Sequence, residues 1–187
     1  MSSVPALPRT ARLQLRPFQA ADLPAFAAYR ANPAVARFQS WEPYTAAQAE
    51  AFVASQAGAT IPGPPGTWVQ IAIARADTDE LLGDCALCLQ ADEPRLAEIG
   101  ITLAPAQQGQ GYATEALRAL LEYCFRELHL HRVMAVTDCL NHGSVELLAR
   151  VGMRREAHFR QHVWFKGAWG DEYVYALLGQ EWQQNHG

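Results

Sequence analysis

The sequence has almost no lysine. Lys166 is the single lysine among 15 basic residues, and the other basic residues are arginines. Acidic residues number 19, which leaves a net charge of −4 at pH 7. A nucleic-acid-binding domain usually carries a basic stripe, so this balance does not favour nucleic acid as a partner. The arginine bias is explained by the base composition of the source genome as readily as by function.

Long apolar runs are also missing. Charged residues break the longest runs well short of the roughly 18 residues that a membrane span needs, so we expect no transmembrane helix and no membrane partner. Residues 1–15 have no apolar signal-peptide core and contain Pro5 and Pro8, so we predict no secretory signal. On these grounds we expect a cytoplasmic protein whose cysteines stay reduced.

Cysteines are few, and their pattern predicts no metal site. Cys85 and Cys88 have CxxC spacing, but they lie in an apparent strand, where residues three apart point to opposite faces. No second CxxC or histidine pair follows, and no His/Cys/Asp cluster has metal-ligand spacing. We predict small buried side chains here and at Cys124 and Cys139, with no metal ligand.

Hydrophobic residues make up 50% of the 187 residues, enough for one domain with a sizeable core. No internal repeat or linker divides the chain. Alternating and apolar runs predict strands, and three-four spacing predicts helices. The predicted strands are 12–16, 68–74, 81–89, 96–103, 132–137, 159–165 and 173–178, with a turn at 167–170. The predicted helices are 20–31, 46–56, 111–129 and 144–151.

Local signals mark several helix ends. Thr45 and Gln48 complete a capping-box pattern before helix 46–56. Gly152 is a C-cap for helix 144–151, and Pro33 stops the first helix. The apolar positions of helix 111–129 form one broad face, so we expect this helix to pack on a sheet.

The segment 107–113, QQGQGYA, lies between a predicted strand and the strongest helix. Gly109 and Gly111 allow positive φ and close approach of the backbone to a ligand. Free N–H groups at the helix start favour an anion such as phosphate. The segment is not a P-loop, and Thr114 stands where a dinucleotide motif has its third glycine. From these residues alone, it is either a phosphate cradle or a plain glycine-containing helix start.

Gln108-x-x-Gly111-x-Ala113 resembles the pyrophosphate motif of the GNAT superfamily of N-acetyltransferases, (Gln/Arg)-x-x-Gly-x-(Gly/Ala). Other segments resemble the family in the right order, and they are 13–23, 97–103, 141–153 and 167–175. The last is similar to the RimJ/RimL type, which acetylates N-termini of ribosomal proteins. The resemblance covers residues 10–182 and leaves 1–9 and 183–187 as short tails.

The resemblance implies an α/β (α+β) GNAT fold, with a mixed, mostly antiparallel sheet splayed into a V and helices on both faces. It implies acetyl-CoA as co-substrate and an amine acceptor, and it leaves a homodimer open. Loop amides would hold the pyrophosphate, strand 97–103 would pair with the pantetheine arm, and Asn141 would hydrogen-bond that arm. The implied cofactor-binding residues are Ile101, Thr102, Leu103, Gln108, Gly109, Gln110, Gly111, Tyr112, Ala113, Thr114 and Asn141.

In the family, an amine attacks the thioester carbonyl directly. We expect Glu98 to be the base, directly or through water, because it lies on one face of the strand that lines the cleft. A solvated or arginine-paired carboxylate is the alternative interpretation. A backbone N–H near Ile101 would meet the oxyanion. His162 is a second candidate proton acceptor, although a surface histidine explains it as well.

The general acid is less well defined. Many family members use a tyrosine seven residues after the motif asparagine, and that position is Leu148 here. Ser144 resembles the serine that has this role in the RimL type, although capping of the short helix explains it equally well. Solvent or the product amine are further proton sources.

Three functions therefore stay open. The first is acetylation of a protein N-terminal amine, and the second is acetylation of a small amine such as a polyamine, amino acid or antibiotic. The third is a CoA-binding regulatory domain without turnover, which the leucine at position 148 motivates. An open acceptor groove favours peptide ends, whereas a closed acidic pocket favours polyamines. Aromatic candidates for lining this site are Trp41, Tyr44, Trp164 and Trp169.

Overall fold

A single seven-stranded sheet organises the computed structural model, which describes residues 5–186. The strands are β1 (Leu13–Arg16), β2 (Val69–Arg75), β3 (Leu81–Leu89), β4 (Leu96–Leu103), β5 (Arg132–Asp138), β6 (Arg154–Phe165) and β7 (Ala168–Leu178). Their order in the sheet is β1-β2-β3-β4-β5-β7-β6. Residues 1–4 and 187, parts of the predicted tails, lie outside the described range.

Six helices accompany the sheet over residues 5–186. They are α1 (Leu23–Arg30), α2 (Pro33–Ala36), α3 (Ala46–Gln56), α4 (Tyr112–Glu122), α5 (His142–Arg150) and α6 (Gly179–His186). None of them has the length and apolar character that a bilayer crossing requires.

The sheet splits between β4 and β5, its one parallel pair. These strands pair only from Leu96 to Glu98 against Arg132 to Met134, although they continue to Leu103 and Asp138. All other neighbouring strands are antiparallel. The predicted mixed, mostly antiparallel sheet with a V-shaped splay is confirmed, and the splay opens beyond Glu98.

Two hydrophobic cores hold helices to opposite faces of the sheet, as predicted. The larger core includes Leu117, Leu120 and Leu121, which form the buried stripe of α4. The smaller core contains Phe26 of α1, whose ring stacks on Phe52 of α3 at 4.9 Å between centroids. Burying each such side chain contributes roughly 1.5–3 kcal/mol, so both faces anchor the sheet that carries the split.

The capping box at Thr45 and Gln48 is confirmed, and α3, β3 and β4 have the predicted bounds. The first predicted helix is divided into a 3-10 turn, Ala20–Asp22, and α1. Pro33 does more than end a helix, because it begins α2 with Asn32 as the N-cap. Proline suits the first helical position, where its missing N–H has no intrahelical partner.

The long predicted helix and the closing hairpin also differ from expectation. After α4, residues 123–127 form a π-helical turn that ends with the Leu128 N–H bonded to the Tyr123 carbonyl. The β6–β7 hairpin is longer than predicted, and it turns at Lys166 and Gly167, which have φ of 49° and 85°. Its extra residues are polar because β6 is an exposed edge strand, so they lack the alternation that predicts strands.

The prediction for the cysteines is half right. Cys85 and Cys124 are buried, whereas Cys88 and Cys139 are partly exposed, and all four are free thiols. Cys85 belongs to the larger core. Cys85 and Cys88 therefore point to opposite faces of the sheet, and only Cys85 of this pair belongs to the larger core.

Candidate active site

The glycine loop before α4 leaves its backbone amides available. Gly109 and Gly111 have φ of 74° and 82°, a region that favours glycine. Gly111 is the N-cap of α4 and provides no side chain to cap the first turn. The N–H groups of that turn are therefore free to bind an anion, aided by the helix dipole.

The glutamines of the loop bind other parts of the chain. The Gln108 Nε2 donates to the Leu103 carbonyl at 3.1 Å, and the Gln110 Nε2 donates to the Ala106 carbonyl at 2.7 Å. Tyr112 is buried, and its hydroxyl accepts a hydrogen bond from Arg75 at 2.8 Å. These side chains brace the loop, and the backbone amides remain available to an anionic ligand.

Sequence reasoning missed Arg12. Its Nη1 donates to the Gln110 carbonyl at 3.1 Å, and its Nε donates to the Glu115 carboxylate at 2.7 Å. The guanidinium also lies 4.6 Å from the centre of the Tyr112 ring. Arg12 thus ties the first strand region to the loop, a link between residues 98 to 103 positions apart that has no local sequence signal.

A groove of about 760 Å³ runs from the glycine loop along α4. Thr114, the last of the predicted loop residues, lies in it with Arg118 and Arg150. The Arg118 Nη2 also donates to the Arg150 carbonyl at 3.2 Å. The full lining is Thr10, Arg12, Gly109, Gly111, Thr114, Glu115, Arg118, Ala119, Glu122, Arg150 and Trp182. Two guanidinium groups beside free helical amides favour a phosphorylated ligand.

The open edge of β4 faces the split. The Ala104 N–H bonds to the Leu82 carbonyl, and the Gln90 N–H bonds to the Leu96 carbonyl. In an antiparallel ladder every second residue bonds to the same neighbouring strand. Thr102 therefore directs its backbone N–H and carbonyl to β3, as Leu96 and Ala104 do. The backbones of Ile101 and Leu103 are directed into the split, although the Leu103 carbonyl is already occupied by Gln108.

Asn141 is the N-cap of α5, and its Oδ1 accepts the Ser144 N–H at 3.3 Å. The interpretation of Ser144 as the cap of this helix is therefore wrong, since α5 begins two residues earlier. Within residues 5–186, the Ser144 hydroxyl has no hydrogen-bond partner and is half-buried. Leu148 is buried in the larger core, so no acid is available from that position.

Glu98 lies where β4 and β5 part, opposite Met134. Burial raises the pKa of the Glu98 carboxyl, and the negative charge of Glu172 raises it further. No arginine pairs with Glu98 in the described part of the chain. A carboxyl with a raised pKa in a cleft is suited to accept a proton near neutral pH.

The face that carries Glu98 continues across β5 to β7. The β5–β7 register pairs Asp138 with Glu172, and the Glu172 Oε2 accepts a hydrogen bond from the His162 Nδ1 at 2.9 Å. Val136 on the same face is 37% exposed, so no helix covers this area. Sequence reasoning missed Glu172, although it placed His162 beside the acceptor.

The predicted aromatic residues divide into two groups. Trp41 and Tyr44 pack around the buried Arg30, whose guanidinium carbon lies 4.4 Å from the Trp41 ring centre. Trp164 and Trp169 pair with each other across the hairpin and are each at least 60% exposed. No ring contact joins the two groups in the part of the chain that the structure describes.

Lys166 at the hairpin turn links these two aromatic groups. Its Nζ donates to the carbonyls of Ala36 and Trp41, both at 2.8 Å. The hairpin is thereby held to the segment between α2 and α3. The single lysine of the chain therefore has a structural role at this contact.

The structure also brings together three groups that sequence spacing did not connect. Cys139, His158 and Asp171 have ligating atoms that all lie within 4.8 Å of one another. Cys139 lies in the turn directly after β5, His158 lies in β6 and Asp171 lies in β7. Sheet register, rather than closeness in the sequence, creates this cluster, which is why the sequence showed no metal-ligand spacing at these residues.

Comparison with known proteins identifies the family. The family model described as Acetyltransferase (GNAT) domain matches residues 12–154. An uncharacterized N-acetyltransferase of Bacillus subtilis, YnaD, is 34% identical over 92% of this chain and 97% of its own length. The ribosomal protein uS5-alanine N-acetyltransferase of Escherichia coli is 34% identical over 45% of this chain and 43% of its own length.

Solved structures agree with this assignment. A GNAT-family acetyltransferase from Bacillus anthracis superposes with a TM-score of 0.83 and 28% identity, over 92% of this chain and 98% of that chain. A spermidine N-acetyltransferase from Vibrio cholerae, in complex with CoA and spermine, shares the fold with a TM-score of 0.77 and 22% identity, over 93% and 99% of the two chains. The chain belongs to the GNAT superfamily and is an acetyltransferase, a family that uses acetyl-CoA and acts on amines.

Proposed function

We propose that this acetyltransferase acetylates the N-terminal α-amine of a protein or peptide. The observation that carries the proposal is the open face beyond the β4–β5 split, where Val136 is 37% exposed and His162 is about half exposed. A peptide continues away from its terminal amine and needs an open exit. Partial similarity to the uS5-alanine N-acetyltransferase, which acts on a protein, supports the same acceptor class.

The donor half of the site consists of residues 99–114 together with Asn141, Arg118 and Arg150. Free amides after Gly111 would bind the pyrophosphate of acetyl-CoA, and the two guanidiniums would bind phosphate along α4. The backbone of Ile101 would pair with the pantetheine arm in the split, where β5 no longer occupies the edge of β4. Acetyl-CoA supplies an activated thioester carbonyl to this site.

The acceptor half consists of Glu98, Glu172 and His162. In our proposal, Glu98 removes one proton from the ammonium group, directly or through water, and the amine attacks the thioester carbonyl. The Ile101 N–H stabilises the oxyanion. As the new C–N bond forms and the C–S bond breaks, the Ser144 hydroxyl passes the remaining amine proton to the departing thiolate.

A thiol-release assay tests the acceptor. One peptide is supplied with a free N-terminus and, as a matched control, with an acetylated N-terminus, and spermidine is supplied in parallel. We expect the free peptide to have the highest kcat/KM and the blocked peptide to give no release. Turnover of spermidine alone would contradict the proposal, and binding of acetyl-CoA without release on any acceptor would favour a regulatory domain.

A polyamine is the second candidate, because Glu98, Asp138 and Glu172 share one face of the sheet. Three carboxylates favour a cation with several amines. The assay above separates the two candidates directly. A cytoplasmic location belongs to the same proposal, since the enzyme needs a compartment that supplies acetyl-CoA.

A further inference from the structure

The cluster of Cys139, His158 and Asp171 lies outside both halves of the active site. The His158 Nε2 lies 3.2 Å from the Asp171 Oδ2, and the Cys139 thiol completes a group whose ligating atoms lie within 4.8 Å of one another. The proposed chemistry uses none of these side chains. The cluster therefore calls for its own explanation.

The backbone around the cluster fixes the aspartate. The β6–β7 register shifts between Phe159 and Val163, and Gln161 in this bulge has φ of 46°. The bulge brings the Gln161 N–H to 2.8 Å from the Asp171 Oδ1. With one oxygen held in this way, the other oxygen is directed at His158. A bulge that re-aims a side chain is a common device at functional sites.

The other two groups are also held in place. The Cys139 N–H donates to the Asp171 carbonyl at 3.0 Å, which joins the end of β5 to β7. The His158 ring packs edge-on against Tyr173, with 4.9 Å between the ring centroids. The turn after β5 and the strands β6 and β7 thus present a thiol, an imidazole and a carboxylate to one point near the protein surface.

The chemistry of these groups selects the kind of ion. Sulfur, nitrogen and oxygen ligands together suit zinc, whereas magnesium and calcium prefer oxygen alone. A thiolate and a carboxylate also balance the two charges of the ion. Zinc bonds of about 2.0–2.3 Å place tetrahedral ligands roughly 3.3–3.8 Å apart. Closing the cluster from its present spacing takes about 1 Å, which small rotations of the partly exposed His158 and Asp171 side chains supply without breaking the contacts that position them.

We propose that Cys139, His158 and Asp171 bind one zinc ion, with a fourth position left to water. The ion would link Cys139, which follows β5 and lies two residues before Asn141, to the β6–β7 hairpin. Binding would therefore stabilise the hairpin that borders the acceptor face. The site is independent of acetyl transfer, so the proposed acceptor and the zinc site stand or fall separately.

Titration of the metal-free, chelator-treated protein with cobalt and then zinc tests the site. We expect one ion per chain, a thiolate-to-cobalt charge-transfer band that zinc removes, and a higher Tm with zinc. The variants C139S, H158Q and D171N should each lower the affinity for zinc by roughly tenfold or more. Loss of a group that only hydrogen-bonds to a metal ligand already costs about that much, and these variants remove a ligand itself.

Two variants serve as matched controls. C88S removes another partly exposed thiol, and H162Q removes the other histidine that pairs with a carboxylate on the hairpin. Both should bind zinc like the wild type. Circular dichroism without metal checks that each variant folds. The proposal is overturned if the wild type binds no stoichiometric ion, if cobalt gives no thiolate band, or if folded C139S and H158Q bind as tightly as the wild type.

Discussion

The donor half and the acceptor half are built from different groups. In the proposed donor half, backbone amides of a short loop and the edge of β4 would supply most of the binding capacity, and the loop side chains together with Arg12 hold them in place. In the acceptor half, carboxylates and a histidine project from strands that meet only through sheet register. A loop of this kind has a local motif, whereas the acceptor face has none. Donor binding is therefore readable from sequence, and acceptor choice requires the folded sheet.

The largest expected effect is on the chemical step at the boundary between the halves. E98Q should lower kcat by about 10²–10⁴-fold, because a positioned general base contributes that much. Binding of acetyl-CoA, measured by calorimetry, should not change. E50Q on the exposed surface of α3 is the matched control. Full activity of E98Q would exclude Glu98 as the base.

A smaller effect is expected from the donor half. In G111A the new Cβ occupies a position with φ of 82°, where a left-handed conformation costs about 1–2 kcal/mol for a residue other than glycine. The loop should lose its anion-binding form, and the KM for acetyl-CoA should rise roughly tenfold.

G152A is the matched control for that strain. Gly152 has φ of 92° and open space around a Cβ, but it caps the far end of α5. It should lower the Tm without changing the KM for acetyl-CoA. Equal changes of KM in both variants would mean that G111A acts through general loss of stability.

S144A should have a more modest effect on kcat, on the order of tenfold or less, because solvent can also protonate a thiolate. General acid catalysis at full strength would give more than that. S55A provides the control, since the exposed Ser55 hydroxyl bonds only within its own helix, α3, donating to the Phe52 carbonyl and accepting from the Gln56 Nε2. Unchanged kcat in S144A across the pH range would exclude the serine from proton transfer.

The smallest effect concerns the pH dependence of the acceptor half. Glu98 must be deprotonated to act as a base, so activity falls as pH drops through its pKa. The charge of Glu172 raises that pKa, and E172Q should therefore move the acidic limb of kcat/KM to lower pH. His162 is paired with Glu172, so H162Q is measured alongside. A limb that stays in place or moves to higher pH in E172Q would contradict the coupling.

Local patterns predicted the core elements well. Helix 46–56 begins at a capping box, strands 81–89 and 96–103 have apolar or alternating patterns, and each was found with its predicted bounds. The family motif also predicted the splayed sheet. The polar start of β6 has no such periodicity, because an edge strand exposed to water does not need it.

Features that depend on distant parts of the chain could not be predicted. Asp84 is fully buried and pairs with Arg30 at 2.6 Å, yet each looks like an ordinary surface charge in the sequence. Glu172 and the cluster of Cys139, His158 and Asp171 likewise depend on strand register. In each case the partner is chosen by the sheet rather than by neighbouring residues.

The most direct test of the contrast between the halves is a full initial-rate matrix, with both substrates varied, for G111A and E172Q. We expect G111A to raise the KM for acetyl-CoA and to leave the KM for the peptide amine near its wild-type value. E172Q should change the KM for the amine and leave that for acetyl-CoA unchanged. If each variant shifts the KM for acetyl-CoA and the KM for the amine together, the donor half and the acceptor half do not act separately, and the proposed division of the site is wrong.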